Sequence, residues 1–147
     1  MKGSVIRHQS IMFVVMVIVG MLCNPMNVLA YKLGHLYLSL TLFYGGVLMA
    51  TNMMWAHEII HYLDMGHFNK VVFIIGIMGS IIISIVLRNQ LFVDDSQWLK
   101  RMIGHHSTAL TTTKLIQHRT TDNDIKKLSG QIIIAQENEI EHMKSLL

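Results

Sequence analysis

At 147 residues, with 52% hydrophobic and only 14% charged residues, the chain has about one domain's worth of material and is too apolar for an ordinary soluble domain. The formal charge of +3 contains no basic run, so composition offers no support for nucleic acid binding. A lone cysteine, Cys23, excludes a disulfide framework, whereas 12 methionines and 9 histidines favour a soft or borderline metal such as copper. Charge is uneven along the chain. Residues 36–56 carry none, and residues 94–147 carry most of it.

In chain order, residues 1–10 are polar, with Lys2 and Arg7. Ile11–Ala30 then offers about twenty residues, enough to span a bilayer core. Asn24, Pro25 and Asn27 interrupt its second half. Two readings stay open: a first transmembrane helix kinked near Pro25, or a signal peptide cleaved after Val28-Leu29-Ala30. The second span is placed at residues 36–62. It begins with the uncharged stretch Leu36–Ala56, has Gly45-Gly46 as a close-packing point, and ends in His57-Glu58-Ile59-Ile60-His61-Tyr62. Residues 71–87 form a third span that stops at Arg88. Lys2, Arg7 and Lys70 fall on one side of these spans, and Lys32 and Arg88 on the other. That balance puts the N-terminus in the cytoplasm and the tail outside it, in a periplasmic or other extracytoplasmic space.

The tail reads as two helices. Asp94-Asp95-Ser96 caps a helix over 96–119, and Thr121-Asp122 caps another over 122–147. Thr120-Thr121-Asp122-Asn123 turns between them, giving an antiparallel hairpin. On the first helix the 3.6-residue period aligns Leu99, Met102/Ile103, His106, Leu110 and Thr113. On the second it aligns Ile125, Leu128, Ile132, Gln136, Glu139, Met143 and Leu146. His106, Gln136 and Glu139 are therefore expected on core-facing positions, where each needs a partner. Two helices cannot cover both sides of such a face, so a second copy is expected to complete a four-helix bundle as a homodimer.

Two constellations could hold a metal. In the tail, Met102, His105 and His106 lie within one turn, and so do Glu139, His142 and Met143. Glu139-x-x-His142 has the i, i+3 spacing that presents a carboxylate and an imidazole to one ion. Imidazole and thioether suit copper, while imidazole and carboxylate suit zinc or iron. The alternative is a metal-free polar layer in which His106 bonds to Glu139 or Gln136. Upstream, His57-Glu58-Ile59-Ile60-His61 is a literal H-E-x-x-H, the spelling of zinc metalloproteases, and His67 follows at a third-ligand spacing. Asp64 stands where metzincins have glycine, and no cleft-forming domain surrounds the motif. Met54, His57, His61 and Met65 continue one stripe at the end of the second span, which reads either as a non-enzymatic metal site or as interfacial His, Glu and Asp snorkelling into the headgroups.

Residues 94–147 resemble the domain of unknown function 305 family. Met102, Ile103, His105, His106, Ala109 and Leu110 match its opening pattern, and Leu128, Ile132, Ile133, Gln136, Glu139, Ile140, Met143 and Leu146 match its second half. The sequence departs from the family at Gly104, where proline is frequent, and at Thr108 and Thr112, where methionine is common. The resemblance implies a ferritin-like helical fold, membrane attachment and copper binding, in metal tolerance or trafficking. The fold class expected is thus all-α: a membrane region over 1–93, with spans at about 11–30, 36–62 and 71–87, followed by the hairpin. The competing readings are a metal-free assembly module and, third, a membrane zinc protease acting through His57, Glu58 and His61.

Overall fold

The structure is a computed structural model that describes residues 2–147, with side chains from Arg7 onward. Every regular element among the described residues is helical: α1 (Lys2–Leu22), α2 (Pro25–Val28), a 3-10 turn (Leu33–His35), α3 (Leu40–Met65), α4 (Lys70–Arg88), α5 (Asp95–Arg119) and α6 (Asn123–Ser145). They form two compact units. One holds the chain up to Leu22 and Leu40–Phe92; the other holds Cys23–Ser39 and Val93–Leu147.

In the first unit α3 packs against both α1 and α4. Small residues allow the close approach. A Cβ added at Gly46 would stand 2.7 Å from the Val17 carbonyl oxygen, and one at Gly76 would stand 2.8 Å from the Trp55 nitrogen. Gly45, its neighbour in sequence, has nothing within 4 Å of the same probe position, so only one of the expected pair makes the contact. The stretch Arg7–Val28 and helix α4 are long and apolar enough to cross a membrane. Helix α3, which carries most of the expected second span, is less apolar than these two and is not among the helices that could cross by composition. Thr51, Asn52, His57, Glu58 and His61 lie among its apolar residues. Helix α1 also stops rather than bending. Asn24 accepts the Asn27 N–H at 3.1 Å and caps a new turn opened by Pro25, at a position where a missing N–H costs nothing.

The second unit is the hairpin together with the segment Cys23–Ser39, which lies against it. Both helix starts are capped by the expected acids. Asp94 accepts from Gln97 N at 2.7 Å, and Asp122 accepts from Asp124 N at 2.8 Å and Ile125 N at 3.1 Å. The buried seam keeps Leu99, Ile103, Leu110 and Met143 of the expected stripes but is turned from them elsewhere. Leu99, Ile103, Ser107 and Leu110 of α5 meet Ser129, Ile140 and Met143 of α6, with Tyr37, Met102 and Ile133 packed against the apolar part.

The seam is rotated because Cys23–Ser39 occupies one flank of the hairpin. Tyr31 N–H donates to Ser107 Oγ at 2.8 Å, His35 Nδ1 lies 3.0 Å from the same oxygen, and Thr108 Oγ1 donates to the Met26 carbonyl at 3.1 Å. Lys114 bridges Tyr31 OH and Glu137 at 3.1 and 2.7 Å, and these two bonds hold its ammonium above the ordinary lysine range. On the other flank, Ile125, Leu128 and Leu146 of the expected core stripe are exposed. Glu139 is exposed with them, its side chain 53% accessible, rather than facing a core.

Candidate functional site

The hairpin candidates do not converge. Met102 and Met143 belong to the apolar cluster, where their thioethers serve as packing. His105 and His142 are exposed. His106 Nδ1 lies 2.9 Å from Glu139 Oε2, an ion-pair contact in which the ring N–H is not aligned for a hydrogen bond. The His105 and His106 rings stand 5.8 Å apart at 64°. Among the described residues no three His, Cys, Asp or Glu side chains are grouped closely enough to hold a metal ion. In the hairpin, therefore, one histidine–carboxylate contact joins α5 to α6, and the remaining candidates are spread over core and surface.

The first unit brings its histidines together. At the ends of α1, α3 and α4, an open cleft of about 620 Å³ is lined by His8, Gln9, His57, Glu58, His61, His67, Phe68, Asn69, Lys70 and Val71. His57 and His61 lie one helical turn apart, and their rings stack at 5.8 Å and 21°. His67, on the loop after α3, meets His61 edge-on at 6.0 Å, and its carbonyl oxygen lies 3.1 Å from His61 Nδ1.

Glu58 points away from solvent and is only 4% exposed. Its Oε2 accepts the Asn69 N–H at 2.9 Å and its Oε1 accepts from Gln9 Nε2 at 3.5 Å, while His57 Nδ1 stands 4.0 Å away. This carboxylate ties three elements together. Two polar atoms in the same place, Gln9 Oε1 and His57 Nδ1, are buried without a hydrogen-bond partner. A buried orphan acceptor is costly, so Gln9 Oε1 marks a place where a further group belongs.

Sequence reasoning named His57, His61 and His67 but not His8 or Gln9. Those two stand on the N-terminal flank of an apolar stretch, where polar residues carry no periodic signal. Nor did it find Tyr31, His35 and Ser107, since a single buried serine in a helix has no pattern to announce it.

Known proteins give the chain a family and no activity. The family model described as "Domain of unknown function (DUF305)" matches residues 92–147. Over 124 residues the chain is 43% identical to a relative from Acanthamoeba polyphaga mimivirus, described as "Uncharacterized protein L153", covering 84% of this chain and 81% of that one. No solved structure matches. The domain supplies α5 and α6, and the similarity to the viral relative extends well beyond it, so the chain belongs to the DUF305 family.

Proposed function

We propose that this is a membrane-anchored transition-metal-binding protein, with the histidine cleft of α1, α3 and α4 as its binding element. The observation that carries the reading is the gathering of four histidines on one cleft, two of them stacked one turn apart on α3. Imidazole is the commonest protein ligand for zinc, copper and nickel. The two long apolar helices support the membrane attachment; with α3 as a third crossing, the balance of basic residues puts α5 and α6 on the extracytoplasmic side. No catalytic step is assigned. Glu58, the water-activating position of an H-E-x-x-H protease, is buried and already accepts two hydrogen bonds.

The test is metal analysis of the full-length protein purified in detergent, before and after incubation with zinc or copper followed by dialysis. Retention of about one ion per chain supports the proposal. A folded protein that retains none rejects it.

A second reading concerns the hairpin and does not depend on metal: it serves as an assembly module that pairs with a second copy. The apolar stripe through Ile125, Leu128 and Leu146 favours it, since it lies open beside a histidine–carboxylate contact. That arrangement is suited to completing a four-helix bundle.

A further inference from the structure

The unpaired buried atoms sharpen the proposed cleft into a ligand set, an inference that rests on the metal-binding reading. A carbonyl oxygen only accepts, so the 3.1 Å contact between His61 Nδ1 and the His67 carbonyl places the ring hydrogen on Nδ1. The lone pair of His61 is then on Nε2. His57 Nδ1 is the ring nitrogen nearest Glu58, at 4.0 Å from Oε1. A carboxylate on that side favours the hydrogen on Nδ1 there too, and leaves the His57 Nε2 lone pair free.

His61 thus has an outer-shell partner typical of metal ligands, a backbone carbonyl, while the Glu58 carboxylate stands beside His57 at 4.0 Å, beyond hydrogen-bond reach. Stacking at 21° with centroids 5.8 Å apart keeps the two rings on one side of α3. Gln9 adds a third donor. Its amide nitrogen is committed to Glu58, so its oxygen is the orphan, on a residue only 9% exposed.

We propose that His57 Nε2, His61 Nε2 and Gln9 Oε1 bind one divalent ion of the zinc or copper(II) class, with the His67 carbonyl orienting the His61 ring and Glu58 beside His57. The donor chemistry sets the class. Among the described residues no thiolate or thioether lines the cleft, so its donors favour borderline divalent ions over copper(I). On this account the H-E-x-x-H spelling describes a binding site whose glutamate holds the fold.

The experiment is calorimetric titration of the full-length protein in detergent with zinc, and separately with copper(II) and copper(I). It compares wild type, His57→Ala, His61→Gln and Gln9→Leu with a His105→Ala/His106→Ala double variant, each checked for helix content. The inference expects one divalent ion per chain in wild type and in the double variant. It expects at least a tenfold loss of affinity in His57→Ala and His61→Gln, and a smaller loss in Gln9→Leu. Unchanged affinity in the folded His57 and His61 variants overturns the ligand set while leaving metal binding by the protein intact. Tighter binding of copper(I) than of either divalent ion overturns the metal class. No binding to folded wild type overturns both the inference and the reading beneath it.

Discussion

Ser107 Oγ lies 3.0 Å from His35 Nδ1, which joins α5 to a residue that precedes it by 72 positions. The same oxygen accepts the Tyr31 N–H at 2.8 Å, so the serine hydrogen is free to be donated to His35 Nδ1. His35 is 3% exposed and its Nε2 has no hydrogen-bond partner, so burial disfavours its charged form. Burial, with the charges of Lys144 and Lys32, pushes its pKa below the ordinary 6.5, against a smaller opposing pull from Glu141.

The pH dependence follows from that direction. The folded form prefers neutral His35, so its contribution is fully present above the unfolded value of 6.5 and is lost as pH falls from there through the lower folded value. The slope in that window is at most about 1.4 kcal/mol per pH unit, one proton's worth. Hydrogen exchange of residues 23–39 is expected to be faster at pH 5.5 than at pH 7.5, and His35→Gln to flatten the difference. Equal exchange at both values in wild type would show that His35 carries no such load.

Removing the hydroxyl itself is the more severe change. Ser107→Ala leaves the Tyr31 N–H and one His35 nitrogen buried without partners, at a cost of about 1–3 kcal/mol. Thermal melting should fall accordingly, with protease cutting appearing first within residues 23–39. A melting temperature equal to wild type counts against the docked position of that segment.

In the first unit, two adjacent glycines should behave differently. Gly46→Leu forces side-chain atoms into the Val17 carbonyl of α1, where even a Cβ would be 2.7 Å away, and overpacking of this kind costs about 1–3 kcal/mol or more. Gly45→Ala meets nothing within 4 Å and should be neutral or slightly stabilising, because alanine is the better helix former. Melting of the two variants in detergent checks the contrast.

The exposed stripe of the hairpin makes a claim about assembly. Leu128, 55% exposed, lies on the open flank with Ile125, 44% exposed. Leu128→Glu is expected to leave the fold intact and to convert a dimer into a monomer in sedimentation experiments. A monomeric wild type, or a dimer unaffected by the change, removes the assembly reading.

How much of this could be read from residues alone depends on what kind of signal each feature carries. The two tail helices were legible because Asp94 and Asp122 are strong caps and the apolar period between them is regular. The rotation of their buried seam was not. It depends on Cys23–Ser39, which binds through a backbone N–H, one carbonyl and one histidine, and none of these leaves a periodic trace. Glu139 was placed inward by its spacing, whereas the open flank lets it reach solvent and meet His106 at the rim. The extent of α3 was legible, yet counting only charges overrated its apolarity, since Asn52 and the histidines weigh against a span without carrying a fixed charge. The H-E-x-x-H letters were visible, but the role of Glu58 was not, because Gln9 reaches it from α1 and the Asn69 N–H from the cap of α4.

The account turns on whether the cleft holds an ion. The most direct measurement is metal content, by elemental analysis, of full-length protein purified in detergent, equilibrated with zinc or copper(II) and dialysed, with His57→Ala alongside. About one ion per chain in wild type and markedly less in the variant is the predicted result. A folded wild type that retains no metal contradicts it.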